Sequence, residues 1–391
     1  MLNTHFSPWP SFTEEEAEAV KQVILSNRVN YWTGRECRAF EKEFASLCDC
    51  EYAVAVANGT LALDACWAAL DIGPGDEVIV TSRTFLASAS SIANSGARPV
   101  FADVDRDSQN ITVGTIEPLL TSKTKAILCV HLGGWPCDMD SINTLAKEHS
   151  LFVVEDCAQA HGAKINGKSV GSFGDLAAWS FCQDKIMTTG GEGGMVTTNN
   201  QELWSKVWSL KDHGKDYDTV YHKQHPPGFR WLHNSLGHNW RMMEVQAAIG
   251  RIQLKRMPDW KETRTKNAMQ IAETCKGMPC LRTPLPSIGR EHAWYKFYTF
   301  VRPESLKSNW TRDRIMNTIT EQGAPCFSGS CSEVYLEGAF QRMGLAPSES
   351  LPIAKELGET ALMFLVHPTL TSEEIEKTCN VIKSVCEQAK R

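Results

Sequence analysis

Ala53-Val54-Ala55-Val56-Ala57-Asn58-Gly59-Thr60 is the stretch whose reading decides the fold. Five small or β-branched apolar residues read as a strand, and Asn-Gly-Thr reads as a turn opening a helix. An Ala- and Leu-rich helix then follows over residues 60–70. The same unit recurs downstream. Gly73-Pro74-Gly75-Asp76 is a turn before strand Glu77-Val78-Ile79-Val80 and a helix over 86–95. Strands over 99–103 and 125–130 come next, and a helix over 139–149 leads into a strand over 151–155. Apolar strands alternating with helices predict an α/β protein whose mostly parallel central sheet carries helices on both faces. Ligands of such a sheet gather beyond the carboxyl ends of its strands.

Upstream, Thr13-x-x-Glu16 is a capping box that opens an amphipathic helix. Beyond residue 255 the pattern changes to a strand over 292–301, a helix over 311–322 and a capped helix over 371–387. The expectation is a large domain over 1–255 and a smaller α+β domain over 256–391. The loop-like stretch 212–237 is rich in His, Tyr and Trp and carries Pro226-Pro227-Gly228. A loop of that length in a compact domain is commonly functional.

Composition narrows the function classes. At 391 residues, with 42% apolar and 22% charged residues, the chain is an ordinary globular protein. A net charge of −6 without a basic run argues against nucleic acid. No apolar stretch spans a bilayer, and the start, Met1 to Pro10, lacks the features of a signal peptide. Cytoplasm is the expected location. Most of the fourteen cysteines sit in apolar patterns without paired CxxC spacing, and the eleven histidines form no HxxH or HExxH pair. No metal is expected. No strand is followed by G-x-G-x-x-G, which argues against a nicotinamide oxidoreductase.

Lys185 follows the apolar run Ala177-Ala178-Trp179-Ser180-Phe181 and precedes Gly190-Gly191-Glu192-Gly193-Gly194. Glu155-Asp156 closes another strand. A lysine, a carboxylate just past a buried strand and a strand-end hydroxyl are the parts of a pyridoxal phosphate site: the lysine forms the Schiff base and the acid faces the pyridinium nitrogen.

The residues resemble the DegT/DnrJ/EryC1/StrS sugar aminotransferases, which are fold-type I PLP enzymes. The likeness runs nearly end to end. It is densest in Ala57-Asn58-Gly59-Thr60, in the stretch 73–80, in Glu155-Asp156-Cys157-Ala158-Gln159-Ala160-His161-Gly162, in Val170-Gly171-Ser172-Phe173-Gly174-Asp175, around Lys185, and in Asn239-Trp240-Arg241-Met242. The resemblance implies that Gly59, Thr60 and Ser180 hold the cofactor phosphate. It implies that Phe85 stacks on the pyridine ring and that Gln159 bonds its phenolic oxygen. Asp156 would keep the ring nitrogen protonated, and Lys185 would carry a proton as a neutral amine. Asn239, with Arg241, would reach the neighbouring subunit's cofactor, which implies a homodimer with shared active sites. Some relatives replace this lysine with histidine and dehydrate instead, so Lys185 implies amino transfer. L-glutamate is the implied donor and a nucleotide-linked keto sugar, a 4-keto-6-deoxyhexose, the implied acceptor, with Tyr31, Trp32 and the 212–237 loop as its holders. The residues around Lys185 look closest to perosamine synthase and the surface-glycan enzymes. Alternatives are 3-keto sugars or keto-cyclitols as substrates, or a regulatory protein on the same fold. Pro325 to Glu333 departs from the His-rich pattern of the family.

Overall fold

The computed structural model describes residues 6–225, 227–228 and 230–391. The first five residues of the chain start, and Pro226 of the Pro226-Pro227-Gly228 turn, lie outside the described residues.

The large sheet contains β1 (Tyr52–Val56), β2 (Glu77–Thr81), β3 (Arg98–Ala102), β4 (Thr124–Val130), β5 (Phe152–Asp156), β6 (Leu176–Ser180) and β7 (Gly194–Thr198). Their spatial order is β1-β7-β6-β5-β4-β2-β3. Strands β3, β2, β4, β5 and β6 pair in parallel, and β7 runs antiparallel between β6 and β1.

Strand alternation divides the core in two. Ile79, Ile127, Cys129, Val153 and Ala177 face one layer, and Val78, Val80, Leu128, Val154 and Ala178 face the other. The first layer is completed by α2 (Glu36–Leu47), α5 (Met139–Glu148) and the first half of α7 (Glu244–Lys276). The second is completed by α3 (Gly59–Ala69), α4 (Leu86–Asn94) and α6 (Gln201–Lys211). A sheet covered on both faces needs apolar side chains on both, so its strands read as unbroken hydrophobic runs. The amphipathic helix α1 (Glu14–Leu25) lies against α7.

Helix α7 has 33 residues, and the expected division after residue 255 falls inside it. Its last turns, through Ala268, Ile271 and Cys275, join the core of a second sheet. That sheet holds β8 (Leu281–Arg282), β9 (Phe297–Val301) and β10 (Ala361–Phe364) in that order, all antiparallel. It packs with α8 (Arg312–Glu321), α9 (Pro352–Thr360) and α10 (Ser372–Ala389).

The strand expected over 292–301 is shorter than its pattern. Trp294 has φ of 52°, a left-handed conformation that a ladder does not accept, so pairing to β10 begins at Phe297. His292 instead stacks on the Trp294 ring at 3.9 Å. No helix among the described residues is long and apolar enough to cross a membrane.

Candidate active site

The carboxyl ends of β1, β2, β5 and β6 open into a cavity of about 1030 Å³. Seven of the sequence-predicted residues line it together: Gly59, Thr60, Phe85, Asp156, Gln159, Ser180 and Lys185.

At the β1 end, Asn58 caps α3 by accepting the Leu61 amide at 2.9 Å. The amides of Gly59 and Thr60 belong to the first turn, where helix geometry offers no partner. They present two donors and the positive end of the helix dipole to an anion. Ser180, at the end of β6, adds a hydroxyl beside them. Gly59 must be glycine, because a Cβ there would lie 2.6 Å from Ser180 Cβ.

At the β5 end, Asp156 is 6% exposed. Its Oδ2 accepts the Ser88 hydroxyl at 2.7 Å and its Oδ1 the Ala158 amide at 3.1 Å. The carboxylate is thereby aimed rather than free to rotate. Gln159 Oε1 accepts the Gly133 amide at 2.7 Å, which leaves its amino group to donate into the cavity. Phe85 stands just before α4 and is 68% exposed. A phenyl ring at a strand-to-helix junction usually buries. Its exposure beside Asp156 gives a flat apolar face for an aromatic ligand.

Lys185 is held from its backbone. The Trp9 indole donates to its carbonyl at 2.8 Å, and its amide donates to the Cys182 carbonyl at 3.0 Å. The segment carrying Trp9 is tied down in turn: the Ser7 amide donates to Glu374 at 2.6 Å and the Thr369 hydroxyl to the Pro8 carbonyl at 2.7 Å. The Lys185 amine stands 5.1 Å from the centre of the Tyr295 ring.

Other cavity residues were not anticipated. Ser88 escaped notice as one serine among several in α4. Tyr295 and Lys296 were hidden inside an apparent continuous strand. The Tyr295 hydroxyl donates to Asp184, and burial followed by the Asp184 charge pushes that phenol well above its ordinary range. Burial also pushes Lys296 down, to about 8. The divergent segment Pro325 to Glu333 supplies Phe327, Gly329, Ser330 and Cys331 to the wall. Gly329, at φ of 84°, lets this loop pass the Tyr298 ring, which a Cβ would approach to 2.3 Å. Buried Arg83 anchors the loop, donating to the Ser330 carbonyl at 3.3 Å and to Gln109 at 2.9 Å.

Three sequence-predicted residues lie elsewhere. Tyr31 is 3% exposed, gives its hydroxyl to Glu41 at 3.1 Å and is covered by the Lys211 amine, 3.7 Å above its ring. Trp32 packs edge-on to Trp208 and stacks on Tyr221. Asn239 is exposed and bridges to Asp212, beside Arg241, which pairs with Asp212 at 2.7 Å. None of the three touches the cavity within this chain.

His131, Glu155 and Cys157 bring ligand atoms within 4.8 Å of one another. The histidine and the carboxylate already have partners. His131 Nε2 meets Glu155 at 2.9 Å and Nδ1 accepts the Cys137 amide at 3.0 Å. Glu155 also accepts amides from Gly171, Phe173 and Gly174. Burial pushes this carboxylate up, but His131 and these amides outweigh burial and hold it below its ordinary range. This is a strut between β4, β5 and the loop at 171–174.

An anion cradle, a flat ring, an aimed carboxylate and an amine on one cavity fit a phosphate-bearing aromatic aldehyde such as pyridoxal phosphate. Known proteins resemble this chain over nearly its whole length. An aminotransferase from Psychrobacter cryohalolentis, solved by X-ray, is 60% identical, covers 98% of this chain and 99% of its own, and superposes with a TM-score of 0.96. The UDP-N-acetyl-3-dehydro-alpha-D-glucosamine 3-aminotransferase of Acidithiobacillus ferrooxidans is 36% identical over 98% of this chain and 96% of its own. The GDP-perosamine synthase of Escherichia coli O157:H7 is 35% identical over 95% of this chain and 96% of its own. The family model itself matches residues 10–383. With its α/β sheet and its cavity both accounted for, the chain belongs to the DegT/DnrJ/EryC1/StrS aminotransferase family.

Proposed function

We propose that this enzyme moves an amino group from L-glutamate to a nucleotide-linked keto sugar, a 4-keto-6-deoxyhexose, with pyridoxal phosphate as cofactor. The observation that carries the reading is the meeting of Lys185, Asp156, Phe85 and the Gly59-Thr60 amides on one cavity. Pyridoxal phosphate, when bound, supplies the carbonyl that takes up nitrogen and the ring that accepts electrons. The chain supplies the rest. The Gly59 and Thr60 amides with the Ser180 hydroxyl hold the phosphate. Phe85 covers one ring face. Asp156, oriented by Ser88, keeps a proton on the ring nitrogen. Gln159 donates to the phenolic oxygen. Lys185 would anchor the cofactor and would hold and pass a proton at the substrate carbon as a positioned base.

The likeness of the Lys185 segment to perosamine synthase and the surface-glycan enzymes supports position four of the sugar, and the E. coli relative is named a GDP-perosamine synthase. The A. ferrooxidans relative's name supports position three as the rival. The fourteen free thiols suit a reducing compartment such as the cytoplasm. A homodimer with shared sites is supported by exposed apolar residues Trp231, Leu236 and Met243 flanking Asn239. In such a dimer Asn239 and Arg241, and the Tyr31-Trp32 segment with the 212–237 loop, would serve the partner's cavity.

Borohydride reduction of cofactor-loaded protein followed by peptide mass spectrometry should find the adduct on Lys185. An adduct elsewhere, or none, would overturn the reading. Assay of 4-keto and 3-keto sugar nucleotides and keto-inositols with glutamate then separates the substrates.

A further inference from the structure

We propose that Lys296 receives the α-carboxylate of the amino donor. The proposal rests on reading the cavity as an aminotransferase site, and it names a residue for a task that the seven predicted residues leave open. An amino-acid donor carries an anion into the cavity, and an anion that leaves water there needs a cation or several hydrogen bonds to offset its desolvation. Lys185 and Lys296 are the only lysine or arginine side chains lining the cavity among the described residues. Lys185 is taken up with the cofactor and with proton transfer.

The neighbouring cations are turned elsewhere. Arg264 donates to the Trp294 and Tyr295 carbonyls and lies against the Trp9 ring at 5.0 Å. Arg83 donates to Gln109 and Ser330, and neither it nor Arg264 lines the cavity, although Arg83 Nη2 and Arg264 Nε and Nη2 are without partners among the described residues. Asp184, whose charge acts on Lys296, accepts the Tyr295 hydroxyl. Lys296 itself makes no ion pair among the described residues.

Position favours the α-carboxylate over a phosphate of the acceptor. The Lys296 amine lies 4.7 Å from the centre of the Tyr295 ring, and the Lys185 amine lies 5.1 Å from the same centre. A donor's α-carboxylate is bonded to the carbon that bears the reacting amine, so it must lie close to Lys185. The acceptor's diphosphate is separated from its reacting carbon by much of a sugar ring.

The test uses holoenzyme carrying pyridoxal phosphate, with Lys296→Met and Lys296→Arg. Bleaching of the cofactor's visible band by L-glutamate gives the half-saturating donor concentration. Calorimetry with glutarate gives carboxylate binding without turnover. The amine-loaded form mixed with a nucleotide-linked keto sugar reports the acceptor half alone. Lys296→Met should raise the glutamate requirement and the glutarate Kd by roughly 10- to 100-fold, the range for a lost hydrogen bond to a charged group. Lys296→Arg should recover most of both, and the acceptor half should stay unchanged. Unaltered glutamate and glutarate saturation in Lys296→Met, or a loss confined to the acceptor half, would overturn the proposal. A wild-type band that ignores glutamate while borohydride still fixes the cofactor on Lys185 would sink the choice of donor, a failure distinct from any behaviour of the variants.

Discussion

The Ser88 hydroxyl donates to Asp156 Oδ2 at 2.7 Å while meeting Thr84 Oγ1 at 2.8 Å. The helix α4 thus fixes the direction of a carboxylate that belongs to β5. Ser88→Ala would leave Asp156 with the Ala158 amide as its remaining protein donor. Turnover should fall about tenfold, the lower end for a hydrogen bond to a charged group, and Ser88→Thr should restore part of it. Steady-state kinetics with cofactor titration checks this; an unchanged rate in Ser88→Ala would show that Asp156 needs no such partner.

Gly59→Ala places a methyl group against Ser180, with the two Cβ atoms 2.6 Å apart. Overpacking of this kind costs about 1–3 kcal/mol, and here it also tilts the first turn of α3. Cofactor affinity should drop more than thermal stability. Equilibrium dialysis beside a thermal melt tells the two apart.

Acid should loosen the fold through three histidines. Burial, first in each case, pulls His161, His292 and His367 down to about 3, with help from nearby lysine or arginine charge at His161 and His367. An unfolded histidine titrates near ~6.5. Between those values the unfolded chain binds more protons, so stability falls as the pH drops through that window, by roughly 1.4 kcal/mol per unit for each site. His161 sits among Phe44, Trp179 and Phe181 with neither ring nitrogen partnered among the described residues. His161→Phe should therefore flatten the acid limb of denaturant midpoint against pH by about one site's share.

Lys296 should make donor capture pH-dependent. Burial lowers it to about 8, opposed by Asp184 and assisted by Arg264 and Lys185; the Tyr295 phenol stays protonated and His367 neutral at that pH. A lowered lysine is charged below its pKa and loses its charge above it. The KM for glutamate should then rise as pH passes about 8, whereas Lys296→Arg should hold its KM level over the same range. A wild-type KM flat to pH 9.5 (roughly 1.5 units beyond the transition) would contradict this.

The cavity wall built from the seven-stranded sheet was legible because most of its residues end a strand or open a helix. Asn58-Gly59-Thr60 and Glu155-Asp156 carry that punctuation in their residue types, and the expected strand limits there fall within a residue of those observed. The opposite wall was not. Tyr295 and Lys296 come from a run whose β-like composition conceals the left-handed Trp294. Tyr31 and Trp32 lie away from the cavity of their own chain. Aromatic residues flag a contact surface but not its side of the sheet, and these two pack with Trp208 under α6. Strand β7, running against its neighbours, has no signature that separates it from a parallel one.

The cavity draws one wall from the seven-stranded sheet and the other from the three-stranded sheet and its loops, with α7, about 50 Å long, running through both. The two walls thus come from separate stretches of the chain, residues 58–192 and 295–365. Substitutions confined to the second stretch can therefore reshape one wall while leaving Lys185, Asp156 and the Gly59-Thr60 turn of the other in place.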